Sequence, residues 1–125
     1  METASPSPAN PTIFGKILRG EIPCKKVYED DHVLAFYDIA PKAPIHVIII
    51  PKEHIVSLQH VTQAHQALLG HLLVAANTIA GQLGVRERGY RLITNAGAGA
   101  GQEVPHLHLH LLATTPNTPA KLPGF

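Results

Sequence analysis

At 125 residues the chain has room for one domain, whose core can bury roughly two-thirds of the unfolded surface. With 45% hydrophobic and 15% charged residues the composition is globular, and 10 basic against 9 acidic side chains leave a net charge of +1. That balance argues against a nucleic-acid or membrane partner, and the single Cys24 excludes an internal disulfide framework while suiting a reducing, cytoplasmic setting.

Residues 1–9 are rich in Ser and Pro, with no large apolar side chain beyond Met1 and neither a secretory nor a lipidation signal. They are expected to form a disordered tail ahead of one domain over 10–125. Asn10 has the character of a helix N-cap with Pro11 at the first helical position, and Phe14, Ile17 and Leu18 then fall at helical spacing before Gly20. From Lys26 the period becomes that of strands. Val27–Glu29 and Val33–Tyr37 are joined by an Asp30-Asp31 turn, and His46–Ile50 has the continuous apolar character of a central strand covered on both faces, ended by Pro51. Thr62–Leu83 is predicted as one long helix, with Leu68, Leu72, Ala76, Ile79 and Leu83 on one stripe. Leu69, Leu73 and Ala80 widen that stripe, and Gly84 closes the helix. Polar residues interrupt it too often for a membrane span. Strands at Tyr90–Thr94 and Pro105–Leu112 follow, separated by a glycine loop at 97–101. The order of elements describes a single α+β sheet domain.

Nine histidines and no tryptophan direct the search for chemistry. Three of them alternate with leucines in His106-Leu-His108-Leu-His110-Leu-Leu. On an extended strand the three imidazoles share one face, and Leu107, Leu109 and Leu111 point the other way into core. Two imidazoles at i and i+2 can share a zinc ion, but the outer pair lies ~13 Å apart along a strand rising about 3.3 Å per residue. A metal is therefore the second choice, and no cofactor is expected. The preferred alternative is a histidine that attacks phosphorus, with its neighbours and the N–H groups of the preceding Asn95–Gly101 loop receiving phosphate oxygens.

The triad run resembles the His-φ-His-φ-His-φ-φ pattern (φ, a hydrophobic residue) of the histidine triad (HIT) superfamily. Phe14-Gly-Lys-Ile17 with Gly20-Glu-Ile-Pro23, Tyr28-Glu-Asp-Asp31, Phe36-Tyr-Asp38-Ile39-Ala-Pro41 and Ile50-Pro-Lys-Glu-His54 are similar to its nucleotide-binding branch. The likeness spans roughly residues 12–112. It implies a five-stranded antiparallel sheet with one long and one short helix, a homodimer with a continuous ten-stranded sheet, and hydrolysis of purine nucleoside phosphoramidates. By the same resemblance His108 is the nucleophile, His106 and His110 hold phosphate oxygens and orient the ring, and His46 joins their proton network. Asp38 takes the ribose hydroxyls, Ile22, Phe36 and Ile39 clamp the base, and Asn95, Gly101, Gln102, Glu103 and Val104 line the phosphate side. Taken singly, each clamp residue is better explained by ordinary core, and His32, His54, His60, His65 and His71 belong to no constellation. The superfamily also contains dinucleoside polyphosphate hydrolases and nucleotidyl transferases with the same histidines, and a non-catalytic nucleotide- or metal-binding protein is the remaining alternative. Glu103 stands where many members carry Ser or Thr, and Ala113-Thr-Thr-Pro-Asn replaces their Gly-Gly-Arg, which bears on the choice of leaving amine.

Overall fold

The computed structural model describes residues 10–117 and 121–124, so the tail expected over 1–9 lies outside the described residues. Five strands, β1 (Lys26–Glu29), β2 (Val33–Tyr37), β3 (Ile45–Pro51), β4 (Arg91–Ile93) and β5 (Leu109–Ala113), form one sheet in the order β1-β2-β3-β5-β4. Every neighbouring pair is antiparallel. A short helix α1 (Ile13–Leu18) precedes the sheet, and a long helix α2 (Gln66–Gln82) links β3 to β4. This is the α+β architecture that the order of elements and the family resemblance imply.

The two-residue alternation of the strands divides the apolar residues between two layers. Val33 and Ala35 of β2, Val47 and Ile49 of β3, and Leu109, Leu111 and Ala113 of β5 face α2, where they meet Leu72, Ala75, Ala76, Ile79 and Ala80. Leu34, Phe36, Ile48 and Ile50 face the other way and pack with Phe14 of α1. Strand β3 is thus covered on both faces, as its unbroken apolar run requires. The same parity places His46 and His110 on the α1 side. Both helices end where Gly20 and Gly84 stand. No helix among the described residues is long and apolar enough to cross a membrane.

Four expectations are corrected. The N-cap of α1 is Thr12, whose hydroxyl accepts from Gly15 N–H, while Asn10 is buried elsewhere. The first turn of the long helix is a 3₁₀ turn, Gln63–His65, set by a capping box between Thr62 and His65. Leu73 does not widen the buried stripe: it is 56% exposed and Val74 beside it 66%. The last strand joins the ladder only at Leu109. Pro105 has no N–H to give it, and the N–H groups of His106 and Leu107 go to Val104 and Ile55 carbonyls.

Candidate active site

The cavity of about 520 Å³ on the α1 side lies within the range of small-molecule sites. His46, His108 and His110, with Asp38, Asn95, Gly101, Glu103 and Val104, border it, and Ile22, Phe36 and Ile39 supply apolar wall. Ile39 is 95% exposed at the rim, so it is not ordinary core, whereas Phe36 is buried against the Phe14 ring. Eleven of the thirteen residues singled out in the sequence therefore meet at one cavity, the exceptions being His106 and Gln102. Gln102 is a brace: its Oε1 accepts from Gly97 N–H, and its Nε2 donates to the carbonyls of Val56 and Val104.

The hydrogen-bond partners dictate the tautomers of the histidines. His108 Nδ1 lies 2.7 Å from the His106 carbonyl, which can only accept, so Nδ1 carries the proton and Nε2 keeps its lone pair. His46 Nδ1 accepts the backbone N–H of Lys42 at 3.1 Å, so the His46 proton sits on Nε2. That Nε2–H donates to His110 Nδ1 at 2.9 Å, closer than the 3.5 Å to Asp38 Oδ2. His110 is thereby left with its proton on Nε2. The cavity is thus bordered by one ring with a free nitrogen lone pair and, 4.9 Å away between centroids, a ring with an N–H to offer.

His106 shares the α1-facing side with its two neighbours but not their cavity. It is fully buried, with Nε2–H donating to the Pro51 carbonyl at 2.8 Å and Nδ1 accepting from Asn10 Nδ2 at 3.0 Å. Both ring nitrogens are engaged within the protein and neither is offered to the cavity. What it offers His108 is its carbonyl. The glycine loop turns part of its backbone inward as well. Ala98–Ala100 form a 3₁₀ turn between Gly97 and Gly101, both at positive φ that suits glycine. The N–H groups of Ala100, Gly101 and Gln102 bond the carbonyls of Gly97 and Ala98 instead of facing a ligand. Glu103 and Val104, which border the cavity, have no protein partner for their N–H groups among the described residues.

Burial keeps the imidazoles neutral. It pushes His106 and His110 down to about 4 and also lowers His46 and His108. Between the ordinary histidine value of about 6.5 and about 4, the unfolded chain binds more protons than the folded one, so stability rises with pH across that window. The contribution is complete above about pH 6.5 and is lost as pH falls toward 4. Thermal melts should show the midpoint dropping from pH 6.5 downward, with a clear fall already by pH 5; a flat midpoint over that interval would contradict the assignment.

Several contributors were not visible in the sequence. Phe14 was legible only as helix core, yet its ring meets His106 and His108 edge-on at 5.9 and 5.0 Å. Lys42 acts through its backbone N–H, which no residue-type signal reveals. Cys24 borders the cavity, and burial pushes its thiol up. Among the histidines given no role, His54 stacks on His106 at 5.2 Å and bonds the Pro105 carbonyl, and His71 lies 2.7 Å from Asp30 Oδ2 in the β1–β2 turn.

Asp38, His46 and His110, far apart in the sequence, also stand close enough together to suggest a metal site. The donor set argues against it. With Lys42 N–H filling His46 Nδ1, the Nε2 that would have to ligate carries a proton.

His106, His108 and His110 at the start of the last strand of a five-stranded α+β sheet, with His108 and His110 bordering a cavity that also holds Asp38 and an apolar wall, fit a histidine triad protein. The chain belongs to the HIT domain family, which it matches over residues 19–117. It is 49% identical over 111 residues to the purine nucleoside phosphoramidase of Escherichia coli, covering 89% of this chain and 93% of that one. It is 57% identical over 101 residues to an uncharacterized HIT-like protein of Synechococcus elongatus, covering 81% and 88%. A histidine triad protein from Clostridium difficile superposes with a TM-score of 0.83 at 46% identity, covering 90% of this chain and 94% of that one. A HIT family hydrolase from Legionella pneumophila gives 0.80 at 47% identity, covering 85% and 95%.

Proposed function

We propose that the protein is a hydrolase that converts a purine nucleoside 5′-phosphoramidate to the nucleoside monophosphate and an amine through a nucleotidyl-His108 intermediate, without a metal. The observation that carries this reading is the His108 ring, held by the 2.7 Å bond to the His106 carbonyl with its Nε2 lone pair free. The identity to the E. coli phosphoramidase supports the choice of substrate. His108 Nε2 attacks phosphorus, the P–N bond breaks with its electron pair going to nitrogen, and the amine takes a proton from solvent at the cavity mouth. Water then attacks phosphorus, His108 leaves with its electron pair restored to Nε2, and the water's spare proton returns to solvent. His110 Nε2–H, the Asn95 amide and the N–H groups of Glu103 and Val104 receive the phosphoryl oxygens. Asp38 accepts the ribose hydroxyls, and the base lies against Ile22, Phe36 and Ile39.

A substrate panel tests the reading. AMP release from adenosine phosphoramidate should be rapid, insensitive to chelator and weaker for the 2′-deoxy analogue, which offers Asp38 one hydroxyl fewer. AMP release from diadenosine polyphosphates but not from the phosphoramidate would reassign the protein to the superfamily's other hydrolases. Loss of activity on chelation would overturn the metal-free step.

The assembly belongs to the same proposal. Leu73 and Val74 on α2 and the outer edge of β4 lack cover in a single chain, and a second copy joined there would continue the sheet to ten strands. Sedimentation equilibrium should show a dimer at micromolar concentration, and a monomer would contradict it. The lone half-buried thiol suits a reducing cytoplasm, where we place the protein.

A further inference from the structure

Asn10 is 1% exposed and does not border the cavity, yet its side chain is wired on both ends. Its Oδ1 accepts from Thr12 N–H at 3.1 Å and from the Thr12 hydroxyl at 2.7 Å, and its Nδ2 donates to His106 Nδ1 at 3.0 Å. The amide cannot be turned over. Flipping it would set two N–H donors against each other at the Thr12 backbone, which has nothing but a donor to offer. The Thr12 hydroxyl is itself occupied as the cap of α1, accepting from Gly15 N–H at 3.0 Å. Gly15 has no side chain because Asn10 lies against it: a Cβ there would come within 2.5 Å of the Asn10 Cγ. Packing and hydrogen bonding thus hold the amide with its donor toward His106.

We propose that Asn10 is a positioning residue that keeps His106 in the neutral Nε2–H form and so protects the nucleophilicity of His108 next to it. An imidazolium at His106 would point Nδ1–H at the Asn10 N–H donor, so Asn10 opposes protonation there. The consequence reaches His108 by charge. As His108 attacks phosphorus its ring turns cationic, and a positive His106 two residues away would oppose that step. The other titratable or charged groups around this unit are His54, stacked on His106, His108 itself, and Arg19, whose Nη1 bonds the Asn10 carbonyl at 2.7 Å and which pairs with Glu21. His54 or Arg19 as a cation adds to the cost of charging His106. Asn10 sets the hydrogen bond that forbids it.

The inference rests on the proposed hydrolase reading only for its kinetic arm. Nitrogen-detected NMR of the imidazoles in the wild-type protein tests the tautomer without any substrate. His106 should appear as the Nε2–H form and remain unprotonated down to about pH 5, well below the ordinary histidine value. A Nδ1–H tautomer, or ordinary titration of that ring, would overturn the proposal whether or not the protein hydrolyses phosphoramidates. Asn10→Asp replaces the donor with a carboxylate that invites a proton onto Nδ1. In this variant His106 should titrate near or above neutrality, and the acid limb of kcat should move to higher pH. At pH 7 kcat should fall ~10-fold or more, the usual scale for an outer orienting group, with KM within about twofold because Asn10 does not face the cavity. A folded Asn10→Asp with the wild-type His106 titration and pH profile would refute the role. Should that variant not fold, the wild-type tautomer decides.

Discussion

Replacing His108 by alanine is expected to abolish turnover while leaving nucleoside monophosphate binding nearly intact. Of the three triad rings, His108 is the one with a lone pair free to attack, because its Nδ1 proton is committed to the His106 carbonyl and its Nε2 has no protein partner among the described residues. Without it there is no nitrogen to carry the nucleotidyl group, and the two-step route closes. In the proposed reading, binding rests on other groups that line the cavity: Asp38, the Ile22, Phe36 and Ile39 wall, and Asn95. Isothermal titration with AMP should therefore give similar affinities for wild type and variant. Turnover within tenfold of wild type would move the nucleophile elsewhere.

His110→Ala should lower the rate by ~10²–10⁴-fold without abolishing it, the range typical of losing an oxyanion donor or acid–base group. His110 offers its Nε2–H because His46, held by Lys42, donates to its Nδ1. The variant removes that donor and also strands the His46 proton, whose nearest alternative acceptor, Asp38 Oδ2, is 3.5 Å away. The loss should fall mainly on kcat, because the phosphoryl oxygens gain charge density toward the transition state. An effect confined to KM would mean that His110 only binds. His106→Ala belongs to another class. This ring is buried and does not border the cavity, and its removal should act through stability and through the placement of the His106–His108 segment.

The sheet was readable in the sequence because strand parity is simple. Alternation alone set Leu107, Leu109 and Leu111 against α2 and the histidines against α1, and the apolar run of β3 marked the strand covered on both sides. Parity did not say what each histidine would meet. Before Leu109 the chain leaves the ladder and passes beneath α1, so His106 is enclosed by Asn10, Phe14 and Pro51 while His110, inside the ladder, borders the cavity. Asn10 followed by Pro11 carries the signature of a helix cap, and the cap fell to Thr12 because the Asn10 side chain is held by Thr12 and His106. The glycine loop misled for a related reason. Its composition marks a sharp turn, but only the hydrogen-bond directions reveal that the N–H groups of Ala100, Gly101 and Gln102 are spent inside the turn. The roles of Lys42 and the His106 carbonyl belong to the backbone, and the identity of a side chain cannot report them.

That His108 carries the nucleotidyl group is tested by quenching the reaction of wild-type protein with a phosphoramidate labelled in its phosphate in denaturing alkali, where a P–N bond to histidine survives, and mapping the labelled peptide. Alkali-stable, acid-labile label is expected on His108 alone, appearing before product and absent in His108→Ala. Label on His106 or His110, or product formed in full with no labelled protein at any quench time, would contradict it.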